Sequence, residues 1–161
     1  KFLPPKYYTL PGMPKSYLLY GFDQARRFHT GVLVEGPIDK WAVGGPGMAM
    51  FGPSPSHIQA DRIATAFGSG SLVFLVDPEE YTRPKAGERL AEKIDALRAK
   101  LPTAVVKLPE GMDPGSTERG FLYEIIEQQA EEQGVEVSWR LRPDTARSRS
   151  RLSNGGRLAH A

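Results

Sequence analysis

With 161 residues, 40% of them hydrophobic and 25% charged, the chain suits one globular domain with a sizeable core and loose ends. Cysteine is absent, which excludes a disulfide framework, a Cys-ligated zinc site and a thiol nucleophile; no apolar run approaches the ~20 residues that span a bilayer. Lys1-Phe-Leu-Pro-Pro lacks a signal peptide's apolar region, so an intracellular, cytoplasmic protein with no membrane partner is the simpler reading, and an opening Lys fits a fragment of a longer chain. The net charge of +2 hides an uneven distribution: residues 138–161 carry six arginines against one acid, Asp144, a local +5 that leaves −3 for the remainder.

In chain order, residues 1–15 are dense in proline and aromatics and are expected to run extended as an N-terminal arm. Asp23 is placed to cap a short helix whose apolar side includes Ala25 and Phe28. Gly31-Val-Leu-Val-Glu35 reads as a buried strand that ends on a carboxylate and breaks at Gly36-Pro37. Ile38 to Val43 has room for a turn or two of helix before Gly44-Gly45-Pro46-Gly47. That cluster has neither the Walker nor the dinucleotide-binding spacing, so it reads as a tight turn rather than a phosphate cradle.

Met48 to Phe51 is the second expected strand, with the methionines as core fillers. Ser54 to Phe67, carrying Ile58, Ile63 and Ala66, is the crossover helix to a third strand, Leu72 to Val76. Leu90, Ile94 and Leu97 mark a helix that starts at Pro84 and runs through Lys100. Thr103 to Leu108 is a fourth strand. Pro109 to Gly115 makes an acidic turn, and Thr117 to Gln133 a helix with Phe121, Ile125 and Ile126 on its apolar side. Val135 to Trp139 is expected to add a peripheral strand. Alternation of this kind gives an α/β fold with a mostly parallel central sheet of about four strands flanked by helices.

Two of those strands deliver acids to one rim, Glu35 after the first and Asp77-Pro78-Glu79 after the third. In an open parallel sheet that rim is where ligands bind. Residues two apart on extended backbone face one way, so Asp77 and Glu79 can converge. Asp39 follows Glu35 by one helical turn, and Asp113 lies in the acidic turn. Crowded carboxylates repel unless a divalent cation neutralises them, and an all-oxygen set with only three histidines in the chain favours Mg²⁺ or Mn²⁺ over zinc. The competing reading is that each acid caps the helix that follows it.

Taken together, Leu33-Val-Glu-Gly-Pro-Ile-Asp39, Ala49-Met-Phe-Gly-Pro-Ser54, Phe74-Leu-Val-Asp-Pro-Glu79 and Lys107-Leu-Pro-Glu-Gly-Met-Asp-Pro114 resemble, in that order, the Toprim domain, a Rossmann-like metal-binding module of bacterial-type primases, topoisomerases, recombination proteins of the RecR kind and certain nucleases. The resemblance covers about residues 16–133, and the Tyr7-Tyr-Thr-Leu-Pro and Lys15-Ser-Tyr-Leu-Leu-Tyr-Gly-Phe-Asp-Gln-Ala25 segments are similar to the lead-in found in bacterial and phage primases and primase-helicases. It implies a Toprim domain over 16–137; residues 138–161, basic and with little to bury, are expected from composition to form a disordered tail.

It also implies a catalytic role for Glu35, in proton transfer or metal binding, with Asp39 beside it, and Mg²⁺ or Mn²⁺ held by Glu35, Asp77 and Glu79. Asp113, Lys40 and Ser54 are implied as supporting or nucleotide-binding groups. The chain departs from the pattern where Glu79 replaces a second Asp, Pro78 stands between the pair and Tyr81-Thr-Arg-Pro84 follows it. Glu79 is one methylene longer, so it can ligate only by relocating the ion or puckering its chain.

The function implied is Mg²⁺-dependent nucleotidyl transfer in RNA primer synthesis, as part of DNA replication, on a single-stranded DNA template with nucleoside triphosphates. The alternatives are a Toprim nuclease and a degenerate Toprim module that only binds nucleic acid. A zinc-binding module and a preceding basic lobe, which primases of this type carry, have no counterpart in these residues, so a helicase or other primase domains are implied partners. Arg147, Arg149 and Arg151 either track a phosphate backbone or belong to a solvated terminus.

Overall fold

Four short apolar runs become strands, β1 (Thr30–Val34), β2 (Gly47–Ala49), β3 (Ser71–Val76) and β4 (Thr103–Lys107), in the computed structural model, which describes residues 11–76 and 84–143. All three pairings are parallel and the order is β2-β1-β3-β4. The connections hold α1 (Phe22–Ala25), α2 (Pro37–Val43), α3 (His57–Phe67), α4 (Pro84–Arg98) and α5 (Arg119–Glu132), with a 3-10 turn at Pro114–Ser116. The α/β fold expected from the sequence is therefore the one observed. Acids 77 and 79, most of the N-terminal arm and residues 144–161 lie outside the described residues, so the expectations for Asp77, Glu79, Arg147, Arg149 and Arg151 fall there too.

Because successive strand residues face opposite ways, the sheet has two apolar faces and both are covered. Leu33, Met48, Leu72 and Phe74 pack with Phe22, Ile63, Phe67, Leu90 and Ile94 on the side of α1, α3 and α4. Val32, Val34, Val73, Leu75 and Val106 pack with Val43, Leu122 and Ile126 on the side of α2 and α5. Burial on both faces explains why these strands read as continuous apolar runs rather than alternating ones. The glycine cluster after α2 is indeed a turn: Gly44 takes φ 85° and Gly47 donates to the Gly44 carbonyl at 3.1 Å.

Several local expectations are corrected. Asp23 does not cap α1; Gly21, at φ 82°, holds the N-cap position, and Asp23 pairs instead with Arg26 at 3.2 Å within the first turn. Phe28 lies beyond the end of that helix and packs where a side chain on Gly45 would otherwise stand. α3 starts three residues later than read, at a capping box in which Ser56 and Gln59 exchange bonds of 3.1 and 2.8 Å. Ile58 and Phe121 are exposed; α5 buries Leu122, Ile126 and Ala130, an i, i+4, i+8 row shifted by one residue from the stripe expected.

Val135 to Trp139 forms no regular strand. It crosses the sheet at the end where β1 and β3 begin, held by His29 N–H to the Arg140 carbonyl (3.0 Å) and Thr30 N–H to the Ser138 carbonyl (3.2 Å). A buried hydroxyl pair, Thr30 Oγ1 to Ser71 Oγ at 2.8 Å, anchors it further. Ser71 donates to the Glu136 carbonyl, and the Ser138 N–H donates to Thr30. Trp139 stacks on Tyr123 with ring centroids 4.5 Å apart, and Arg142 donates to the Ala66 and His29 carbonyls. Residues 138–142, read from sequence as the start of the tail, are thus bonded to the body; composition marked them as basic, but their partners are too distant in sequence to be read there.

Candidate functional site

The strand order reverses at β1. The chain leaves β1 toward β2 through α2 on one face, and leaves β3 toward β4 through α4 on the other. The carboxyl ends of β1 and β3 therefore flank a crevice of the kind in which open α/β sheets bind ligands. Register places Thr30 opposite Ser71 and Leu33 opposite Phe74, so Glu35, one residue beyond β1, is level with Val76, the residue that precedes Asp77 in the chain. Glu35 is exposed, while its backbone is fixed: its carbonyl accepts the Phe51 N–H at 3.0 Å.

Pro37 occupies the first turn of α2, where its missing N–H costs nothing, and Asp39 turns back so that its carboxylate accepts the Gly36 N–H at 3.2 Å. Asp113 does the corresponding service for the next loop: its carboxylate accepts the Gly115 N–H at 2.6 Å, and its carbonyl accepts the hydroxyls of Ser116 and Thr117. These two acids are neighbours. A Cβ built on Gly115 would stand 3.0 Å from Asp113 Oδ1, 3.9 Å from Asp39 Oδ1 and 2.9 Å from Ile38 Cγ2. Glycine at 115 is what lets the acidic turn lie against the first turn of α2.

The structure thus brings Glu35, Asp39 and Asp113 to one end of the sheet, with Ser54 in the loop that leaves β2 at the same end. Lys40 is not brought there. It is 8% exposed, its ammonium donates to Gln24 Oε1 at 3.0 Å and lies 5.9 Å from the centre of the Tyr20 ring, so it ties α2 to α1. Phe51, which sequence reasoning passed over, stands in the left-handed region at φ 59°. A bulky residue is strained there, and the bond from its N–H to Glu35 is what the strained turn provides. No local pattern in Met50-Phe51-Gly52 signals it.

Carboxylates alone suit a hard ion such as Mg²⁺ or Mn²⁺. Among the described residues, no three acidic or imidazole side chains converge closely enough to hold one, so a complete set needs Asp77 and Glu79 beside Glu35. Asp39 and Asp113 each already hold a backbone N–H, the role that the capping reading assigned to them.

The geometry defines the class first: a parallel α/β domain with Glu35, Asp39 and Asp113 at the carboxyl end of its sheet, beside the β1/β3 switch point. Comparison with solved structures then narrows it to the primase fold. The chain is similar to a DNA primase domain from Pseudomonas aeruginosa, with 26% identity, a TM-score of 0.57 and coverage of 76% of this chain and 41% of that one. It is also similar to the RNA polymerase domain of Mycobacterium tuberculosis primase DnaG in complex with double-stranded DNA (23%, 0.56, 71% and 40%). A third is the DnaG primase catalytic domain bound to single-stranded DNA (23%, 0.55, 80% and 46%). The chain spans less than half the length of these structures. No family model matches it, and no curated protein does. No helix among the described residues is long and apolar enough to cross a membrane.

Proposed function

We propose that this chain is the Toprim-type catalytic module of a DNA primase, carrying out nucleotidyl transfer for RNA primer synthesis during DNA replication inside the cell. The observation that carries the proposal is the switch-point crevice, where Glu35 stands at the end of β1, level with the last residue of β3, and Asp77-Pro78-Glu79 comes next in the chain. The primase neighbours support it at the level of fold. In this chemistry a ribose hydroxyl forms a bond to the α-phosphorus of an incoming triphosphate while the bond to pyrophosphate breaks. Glu35 would accept the hydroxyl proton, and the Phe51 amide and the Gly36-Pro37 turn hold its backbone in place. Glu35, Asp77 and Glu79 would hold Mg²⁺ or Mn²⁺, which when bound supplies charge neutralisation at the phosphates.

A second reading, a module that binds nucleic acid without turning it over, is favoured by two observations: Asp39 and Asp113 are engaged as caps, and Glu79 departs from the paired aspartates. Equilibrium binding of a fluorescent nucleoside triphosphate separates the two. The catalytic module binds it only with Mg²⁺ or Mn²⁺ and loses at least tenfold in affinity on Glu35→Gln. Binding that ignores both the metal and Glu35 contradicts the catalytic reading. Dinucleotide synthesis is expected only when template-gripping domains are supplied, because the chain spans less than half of the primase structures it matches.

A further inference from the structure

At the opposite end of the sheet from Glu35, α1, the second half of α3 and residues 141–143 enclose an open groove of about 850 Å³. Four arginines line it, Arg26, Arg27, Arg62 and Arg142, against two aspartates, and both acids are already taken: Asp23 by Arg26 at 3.2 Å and Asp61 by Lys100 at 2.6 Å, which lies outside the groove. Lys100 accounts for most of the lowering of the Asp61 pKa from its ordinary value, by hydrogen bond and charge. Three guanidinium charges therefore face the groove with no carboxylate partner among the described residues.

Each is held differently. Arg27 makes no side-chain bond among the described residues. Arg62 lies over the Phe22 ring at 4.6 Å and donates one N–H to the Tyr17 carbonyl, which leaves most of its donors open. Arg142 donates to two backbone carbonyls, while its Nε is buried with no hydrogen-bond partner. Between these cations is an apolar surface made by the exposed Leu141 and by Pro143, while Phe22 is buried beneath Arg62 and forms the floor. Pro143 is also where the chain passes into residues 144–161, whose sequence adds Arg147, Arg149, Arg151 and Arg157 against Asp144 alone.

We infer that this groove is a second nucleic-acid contact, remote from the acidic rim, in which a single strand lays its phosphates on Arg27 and Arg62 and packs its bases on Leu141 and Pro143. The chemistry is specific to a single strand: alternating cations and apolar faces suit a backbone whose bases are unpaired, whereas a duplex hides those base faces. On this inference the strand follows the α1/α3 side of the sheet, and the site does not depend on the metal-rim reading.

The test uses the full chain in EDTA with a fluorescein-labelled oligo-dT, titrated at several salt concentrations, so that catalysis and metal play no part. Removing one cation that neutralises a phosphate lowers the slope of log affinity against log salt by about 0.7. Arg27→Gln, whose side chain has no structural bond to break, is expected to lower it by about that amount with an unchanged melting temperature, and Arg27→Gln with Arg62→Gln by about twice as much. The same decrements are expected in a background with Arg147, Arg149 and Arg151 changed to Gln, and Leu141→Ser should weaken binding with the slope unchanged. Folded variants with an unchanged slope overturn the inference. So does a groove that binds dTMP or inorganic phosphate through Arg27 while the oligonucleotide slope stays the same, because the site is then one for a small anion.

Discussion

Gln59 carries more of the fold than any charged residue of α3. Its side chain is buried, its Oε1 accepts the Ser56 N–H, and its Nε2 reaches the carbonyls of Lys15, Leu18 and Met50 at 3.0, 2.6 and 3.1 Å. It thereby joins the segment leading into α1 to the end of β2, directly before the strained Phe51. Gln59→Leu keeps the volume but strips those carbonyls of their donor, and each buried acceptor left unpaired costs about 1–3 kcal/mol. We expect a loss of about 2–3 kcal/mol in urea unfolding with little change in slope; a loss below about 0.5 kcal/mol would show that water replaces the amide. Nothing in the sequence advertises this residue, because all three carbonyls come from other parts of the fold. Asp39 and Asp113 are the contrary case. Their bonds are to backbone N–H groups three and two residues away, so the capping alternative was readable from Gly36-Pro37 and Pro114-Gly115 alone.

At the scale of elements, the free edge of β4 is closed by α5 rather than by another strand. The Gln133 amide bonds both the N–H and the carbonyl of Val105, at 2.9 and 2.7 Å, and the Gln129 amide does the same for Lys107, at 3.0 and 2.7 Å. A side-chain amide presents one donor and one acceptor, as a peptide does, so two glutamines one turn apart imitate a paired strand and blunt an edge that would otherwise recruit another chain. Replacing both with alanine should cost about 1–2 kcal/mol at these exposed positions and produce concentration-dependent association in analytical ultracentrifugation. A double variant that remains monomeric and equally stable would mean that water satisfies this edge unaided. The strand-helix order was legible because continuous apolar runs and Gly/Pro breaks are local signals. The exact buried stripe of α5 was not, since Phe121-Leu122 and Ile125-Ile126 offer two overlapping rows and only the position of β4 chooses Leu122, Ile126 and Ala130. The strand expected at Val135 to Trp139 failed for a similar reason: its β-branched pattern was genuine, but its partners are the buried hydroxyls of Thr30 and Ser71 and the Tyr123 ring.

At the scale of the whole molecule, two ends of one sheet have been given different chemistry. The carboxyl end gathers acids around the β1/β3 crevice, and the amino end gathers arginines around α1, α3 and residues 141–143. The acidic end could be anticipated, since it needs only that Glu35 and Asp77 follow strands of one parallel sheet. The basic groove could not, because Arg26 and Arg27 on one side and Arg142 on the other are more than a hundred residues apart in sequence.

In the proposed site Glu35, Asp77 and Glu79 share a divalent ion, and thermal unfolding with and without Mn²⁺ reads that out. An ion that binds only the native state contributes RT ln(1 + [L]/Kd), about 2.7 kcal/mol at a hundredfold excess over Kd, or a rise of about 5–10 °C in Tm for a chain of this size. Without metal the acids repel one another, so Asp77→Asn is expected to melt slightly higher than wild type in EDTA and to lose most of the Mn²⁺ gain, and Glu35→Gln to lose it likewise. If wild type and both variants respond to Mn²⁺ identically, or none responds at all, the acids are helix caps and the catalytic account is contradicted.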